Sequence, residues 1–504
     1  MSTYLSSGSR CRTRAAGSHM AWAAGLALLG CSAGGAWAQT TLVSTSAGGL
    51  QGNGESAALS EEQLITVSAD GRYVCFTSLA SDLVPGDGNR VRDVFVKDRQ
   101  TGAIERVSVG PAGVEGDGPS TLARMTPDAR FVVFESSATN LVPGDANGQV
   151  DIFLRDRQLG TTELVSVTTG GLQAESYSRF ASVSGDGRYV AFTSNAVAYA
   201  GIDHAFIDNV YMRDRQLGVT TTVTASMDGD GGNGISQRPL LSADGSVVVF
   251  VSLSSDLAPG PIDPAVFNLY AYDVASGTTA LLTVGVGGVP SNGNSFAPQV
   301  TPDGRRVIMA SFASNLTAGG DLSAGRDLFV IDRTTGTTVM ANLNSSGVQA
   351  NGTGVGSFSI DAAGRFVTFR SDGTNLVASD TNGLNDLFRR DMLTGQTTLV
   401  SIGFDGSPAD GATAHTSAQS QDGTVVVFGS VATNLVASDT NGFGDIFARF
   451  YPLPLPGDLN GDGAVNGADL GLVLGSWGGT GGDLNGDGTT DGADLGIVLG
   501  GWTG

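Results

Sequence analysis

One spacing constrains this chain more than any other feature. The large residue of an Asp-Gly-Arg-x-Val-x-Phe-type motif recurs at Phe76, Phe134, Phe192, Phe250, Met309, Phe369 and Phe428, at intervals of 58, 58, 58, 59, 60 and 59 residues. Units of this kind cannot each bury a hydrophobic face alone, so they must stack on their neighbours. The first unit spells four strands. Leu64 to Ala69 leads into Asp70-Gly71, expected as a two-residue hairpin turn with positive φ at both positions, and Arg72 to Ser78 returns. A polar loop, Asp82 to Arg92, feeds Asp93-Val-Phe-Val-Lys-Asp98, and Ala103 to Val109 completes the unit after a Thr101-Gly102 turn. β-Branched and aromatic residues alternate with small or polar ones, which favours strands over helices. The pattern predicts a mainly β chain with a seven-bladed β-propeller over residues 39–451; an open solenoid is the competing reading.

The last unit argues for a closed ring. After Asp445-Ile-Phe-Ala-Arg-Phe450 no fourth strand follows, only Pro452-Leu-Pro-Leu-Pro456, which reads as a linker. The missing Thr-Thr-Leu-Val-Ser element, present at Thr397 to Ser401, stands instead at Thr40 to Ser44 within Thr40-Thr-Leu-Val-Ser-Thr45 near the other end of the chain. An N-terminal strand completing the seventh blade would remove two exposed sheet edges. The unit Ser-x-Asp-Gly-Arg-x-Val-x-Phe-x-Ser, followed by Asp-Ile-Phe-x-Arg-Asp and Thr-Gly-x-Thr-x-Leu-Val-Ser, resembles the TolB-type subgroup of WD-like propellers. That resemblance implies the fold and no single function, because its motif residues are turn and core elements.

Residues 457–504 carry a different signal. Asp458-Leu-Asn-Gly-Asp-Gly-Ala-Val-Asn-Gly-Ala-Asp469 is repeated almost letter for letter by Asp483-Leu-Asn-Gly-Asp-Gly-Thr-Thr-Asp-Gly-Ala-Asp494. Side-chain oxygens fall at loop positions one, three, five, nine and twelve, glycine (Gly463, Gly488) at six, and Ala464 or Thr489 at seven offers its backbone carbonyl. Such spacing suits a hard cation that takes six to eight oxygen ligands, so two Ca2+ ions are expected. Each loop runs into an apolar series at helical spacing, Leu470, Val473, Leu474 and Trp477, then Leu495, Val498, Leu499 and Trp502, which predicts two short helices packed face to face. A glycine-rich polar tail of turns is the plainer alternative.

This tail is similar to type I dockerin, a duplicated loop-and-helix module of the paired F-hand kind that docks onto cohesin modules in polysaccharide-degrading assemblies. The resemblance implies a first Ca2+ site from Asp458, Asn460, Asp462, Ala464, Asn466 and Asp469, and a second from Asp483, Asn485, Asp487, Thr489, Asp491 and Asp494. It implies a cohesin-like or other extracellular protein partner. The chain departs from the family at positions ten and eleven, where it has Gly467-Ala468 and Gly492-Ala493.

Charge and targeting narrow the setting. Residues 1–38 read as an export signal: Arg10, Arg12 and Arg14 precede an apolar run from Met20 to Leu29, and Ala36-Trp37-Ala38 offers a cleavage site. Losing those three arginines takes the basic count from 27 to 24 against 49 acidic residues, which argues against nucleic acid or an anionic membrane surface as partner. Leu28-Leu29-Gly30-Cys31 is a rough lipoprotein box, so tethering at Cys31 is a second option to secretion or surface display. No later stretch is long and apolar enough to span a membrane. Cys75 would be the one cysteine of the processed chain, expected to be a buried packing residue.

Catalytic signals are scarce. His204 and His415 are expected on loops without a companion at metal-ligand spacing, and no Gly-x-Ser-x-Gly elbow is present. Asp-x-Asn loops recur at Asp87-Asn89-Asp93, Asp145-Asn147-Asp151, Asp380-Asn382-Asp386 and Asp439-Asn441-Asp445, readable as turns or as further cation sites. A glycosidase needs only two well-placed carboxylates, so composition leaves a carbohydrate-active hydrolase open. The propeller stretch has no tryptophan to offer a sugar platform. The expectation is a secreted, non-catalytic recognition or scaffold protein, its propeller binding a polysaccharide or protein ligand; a carbohydrate-active hydrolase and a Tol-type periplasmic assembly factor are the alternatives.

Overall fold

The computed structural model describes residues 39–57, 63–199, 207–319, 325–452, 455–460, 464–479, 481–485 and 488–503. The export signal with Cys31, His204, and the expected ligands Asp462 and Asp487 lie outside the described residues. Seven antiparallel four-stranded sheets form among the described residues, each a blade whose strands follow in chain order, except the last. Blade one runs Thr66–Val67, Tyr73–Ser78, Asp93–Asp98 and Ile104–Arg106. Its first and last strands, two and three residues long, are shorter than the pattern suggested. Blade seven is completed by Thr40–Leu42, which pairs antiparallel with Asp445–Phe450, Leu42 facing Phe447. The inner strand of blade seven, Thr413–Gln419, abuts those of blades six and one, and one core cluster joins Val43, Ile65 and Phe76 to Val425, Val427 and Ile446. The ring is closed.

The repeated motif has a physical reading at each letter. In blade one Ser68 Oγ donates to Asp70 Oδ1 (2.6 Å) and accepts from Tyr73 N (2.8 Å), while Arg72 N donates to Asp70 Oδ1 (3.0 Å). The same bonds recur around Thr126, Ser184, Ser242, Thr301 and Ser420. Of the Asp70-Gly71 pair only Gly71 has positive φ (72°), and Gly71 N donates to Ser68 O. The expected two-residue primed turn is therefore replaced by a longer loop with one left-handed residue, since the serine side chain supplies the bonds that a tight turn would make. A Cβ on Gly187, the third copy, would lie 2.3 Å from the Phe131 ring of the preceding blade, so glycine here serves both φ and blade packing. The motif arginine crosses to the end of the third strand: Arg72–Asp98, Arg130–Asp156, Arg188–Asp214, Arg305–Asp332 and Arg365–Asp391 pair at 2.6–2.9 Å.

Stacked or tilted rings fill the blades, such as Phe134 over Phe153 and Phe428 over Phe447, with centroids 6.0 Å apart. Cys75 is fully buried, and burial pushes its thiol up to about 12. His415 lies in the inner strand Thr413–Gln419, not on a loop as the sequence suggested. Beyond the propeller two helices form among the described residues, α1 (Gly467–Gly475) and α2 (Gly492–Gly500). No helix among the described residues is long and apolar enough to cross a membrane.

Candidate functional site

Two places on the molecule gather chemistry. The first is the C-terminal pair of loops. The loop residues at position nine, Asn466 and Asp491, are the N-caps of α1 and α2, accepting from Ala468 N (2.8 Å) and Ala493 N (2.7 Å). The residues at position twelve sit one helical turn on and reach back. Asp469 Oδ1 accepts from Leu459 N (2.8 Å) and Asn460 N (3.2 Å), and Oδ2 from Asn466 N (2.9 Å). Asp494 does the same with Leu484 N (2.6 Å), Asn485 N (3.1 Å) and Asp491 N (2.8 Å). Burial alone would raise both carboxyls, but the converging backbone N–H groups outweigh it and hold them below the usual range. Each loop is thus drawn into a coil that starts and ends on one carboxylate.

At position one, Asp458 is buried and Asp483 accepts from Gly488 N at position six (2.7 Å). Through the bonds to Asp469 and Asp494, positions two, three and nine of each loop meet the position-twelve carboxylate; Ala464 and Thr489, at position seven, are among the described residues. Apolar packing departs from expectation. Val473 and Val498 are buried with Leu459 and Val465, whereas Leu474, Trp477, Leu499 and Trp502 are exposed. Loop residues fill the small core that the two apolar stripes were expected to form, and half of each stripe faces outward. The segment touches the propeller at blade six, where Leu393 packs on this core and Gln396 Nε2 donates to Asn460 O (3.3 Å).

The second place is a cavity of about 570 Å³ lined by Tyr177, Arg179, Phe180, Asp208 and Gln237, at the inner strands of blades three and four. Here each inner strand carries a bulge with a left-handed residue, Phe180 (φ 57°) or Arg238 (φ 55°). Arg238 covers the Phe180 ring at 4.3 Å, and Arg179 lies 5.4 Å from the same centroid. Tyr177 Oη (2.6 Å) and Gln237 Nε2 (2.5 Å) both donate to Asp208. Behind this wall Glu135 accepts from Phe180 N and from Arg179 Nε (3.4 Å). Burial pushes Glu135 up to about 7, against the pull of that N–H and of Arg179 and Arg238. None of these residues was singled out by the sequence. A signal existed: Phe134-Glu135-Ser136 puts a carboxylate where the parallel motifs read Phe76-Thr77-Ser78 and Phe192-Thr193-Ser194.

The asparagines of the propeller loops make turns. Asn89, Asn382 and Asn441 turn their amide NH2 toward Asp93, Asp386 and Asp445 (2.8–2.9 Å) and use their oxygens on the backbone N–H two residues on. An asparagine in that orientation offers no oxygen to an ion beside the aspartate. Asp93, Asp151, Asp386 and Asp445 are in turn fixed by a serine just beyond the fourth strand, Ser108, Ser166, Ser401 and Ser44 respectively.

No family model matches the chain, and no curated protein matches it. Solved structures resemble its propeller. Oligogalacturonate lyase from Vibrio parahaemolyticus aligns with 12% identity over 82% of this chain and 96% of its own, with a TM-score of 0.48. The β-propeller domain of the Trilobed protease from Pyrococcus furiosus aligns with 11% identity over 77% and 94% (TM-score 0.47). TolB from Acinetobacter baumannii aligns with 13% identity over 76% and 82% (TM-score 0.35). At such identities the likeness concerns fold and carries nothing about activity.

Proposed function

We propose that this is a secreted, non-catalytic recognition or scaffold protein: a propeller that presents a ligand-binding face, carried with a C-terminal dockerin-like module that folds on calcium and docks onto a protein partner. The observation that carries the reading is the pair of coils closed by Asp469 and Asp494, identical in bonding although 25 residues apart. Two nine-residue helices with four buried apolar residues between them bury too little surface to offset chain entropy. Metal binding would supply the difference. Asp458, Asn460, Asp462, Asn466 and Asp469, with the Ala464 carbonyl, would hold the first Ca2+. Asp483, Asn485, Asp487, Asp491 and Asp494, with the Thr489 carbonyl, would hold the second, more tightly because it has one more carboxylate. The outward Leu474, Trp477, Leu499 and Trp502 form a duplicated apolar surface of the kind a docking partner covers.

Tryptophan fluorescence offers a clean test, since Trp477 and Trp502 are the only tryptophans after the export signal. Titrating the chelated, processed chain with Ca2+ should change the emission, EGTA should reverse it, and Asp458→Asn with Asp483→Asn should abolish it. Emission that ignores millimolar calcium would end this reading. A second reading, an extracellular carbohydrate-active hydrolase, is favoured by Glu135, a carboxyl held near neutrality behind a cavity that also contains Asp208. Turnover of a polysaccharide that disappears in Glu135→Gln would establish it. A Tol-type assembly role has only the fold in its favour.

A further inference from the structure

The four Asp-x-Asn loops look alike in sequence, yet the structure gives their paired carboxylates different surroundings. In blade one, Asp87 and Asp93 converge with Glu115 within 4.8 Å, and a guanidinium sits among them: Arg106 Nη1 is 3.4 Å from Asp87 and 3.5 Å from Asp93, with Glu115 at 2.5 Å. In blade two, Gln173 Nε2 donates to both Asp145 (2.7 Å) and Asp151 (2.9 Å). Blade seven uses Gln51, whose Nε2 lies 3.3 Å from Asp439. Glu115, Gln173 and Gln51 occupy one equivalent position, each bridged to the end of a fourth strand at Val109, Val167 and Thr45. The equivalent in blade six is Pro408, bridged to Ile402, and proline offers no donor.

The consequence is visible at Asp380, which is only 7% exposed and whose Oδ1 is buried with no hydrogen-bond partner. Beside it the fully buried Asp386 accepts from Ser401 Oγ (2.5 Å) at Oδ1 and Asn382 Nδ2 (2.8 Å) at Oδ2. One lone pair remains on Asp386 Oδ2 and two on Asp380 Oδ1. A buried anion pair with an unsatisfied oxygen is costly unless a cation or donor meets it.

We propose that blade six binds a hard divalent cation of the calcium class, bridging Asp380 Oδ1 and Asp386 Oδ2 with water completing its shell, at the position that Arg106 fills in blade one and a glutamine amide fills in blades two and seven. Two carboxylates on a preformed turn place its affinity at the weak, extracellular end of calcium sites, about 10⁻⁴–10⁻³ M. The site is independent of the C-terminal loops and stands or falls separately from them.

The test is calcium stoichiometry of the full processed chain by equilibrium dialysis at several millimolar Ca2+, in a background with Asp458→Asn and Asp483→Asn. One equivalent is expected to remain, accompanied by a calcium-dependent rise in melting temperature. Asp380→Asn should remove that equivalent. Pro408→Gln should remove it too while keeping the fold, since it installs the partner already used in blades two and seven; circular dichroism checks the fold of each variant. A background chain that binds no calcium, or one whose binding is unchanged by Pro408→Gln and Asp380→Asn, overturns the proposal. In the parent chain the tryptophan signal reports the C-terminal loops alone, so failure of either reading is recognised without the other.

Discussion

One of the contacts that close the ring can be removed with a single atom. In six blades a Ser, Thr or Asn fifteen residues beyond the first residue of the third strand donates to it: Ser108 to Asp93, Ser166 to Asp151, Thr224 to Asn209, Thr283 to Asn268, Asn342 to Asp327 and Ser401 to Asp386, at 2.5–2.9 Å. In blade seven the donor comes from the other end of the chain, Ser44 Oγ to Asp445 Oδ1 at 2.5 Å, 401 residues away. Ser44 Oγ also accepts from Ile446 N (3.0 Å), and Ser44 and Asp445 are both fully buried. Ser44→Ala therefore strips a buried carboxylate of one donor and orphans one N–H. A hydrogen bond to a charged group contributes about 1.5–3 kcal/mol and a neutral one about 1 kcal/mol, so the loss is about 2–4 kcal/mol. Ser166→Ala removes the same two bonds within blade two and is the internal control. The penalty for Ser44 should also depend on pH. Burial raises Asp445 to about 6, with Ser44 and Asn441 pulling it down and Asp439 pushing it up. Ser44 favours the ionised form, so the cost of its loss grows as pH rises through 6. Hydrogen exchange by mass spectrometry reads this locally: segment 40–46 should be as protected as 397–401 in the parent and lose that protection in Ser44→Ala. If 40–46 exchanges at loop rates in the parent, or Ser44→Ala costs far less than Ser166→Ala, the ring is not latched by this strand.

Glu135→Gln should stabilise the chain at pH 8 and lose that advantage by pH 5 in thermal scans, because a folded-state pKa raised to about 7 means stability is lost as pH climbs from the unfolded value through 7. Gly187→Ala should cost about 2–4 kcal/mol in urea titrations, from a left-handed φ of 72° and a Cβ forced against Phe131, whereas Gly113→Ala, at φ 78° with open space around it, should cost only the backbone share of about 1 kcal/mol. Cys75, buried and pushed up to about 12, should ignore a thiol reagent in the native chain and react fully in denaturant.

The blades were legible because their signals are local: a serine, an aspartate and a glycine within four residues make a loop whose bonds need no distant partner, and alternation within six residues fixes which side chains enter the core. Closure was legible for the same reason, since the terminal Thr-Thr-Leu-Val-Ser matches a fourth strand found elsewhere in the chain. Legibility ended wherever the deciding atom lies far along the sequence. Leu474 and Trp477 have the helical spacing of a core stripe, yet Leu459 and Val465, held in place by the coil around Asp469, fill the space first. The cavity wall at Arg179 and Gln237 needs the ring itself, because blades three and four contribute side chains 58 residues apart. The Asp-x-Asn loops make the point most sharply. Their local sequences predict one chemistry for four blades, whereas a distant residue, 28 positions on in blades one, two and six and at the other end of the chain in blade seven, decides by being a glutamate backed by an arginine, a glutamine or a proline whether a protein group meets the carboxylate pair or leaves it for a cation.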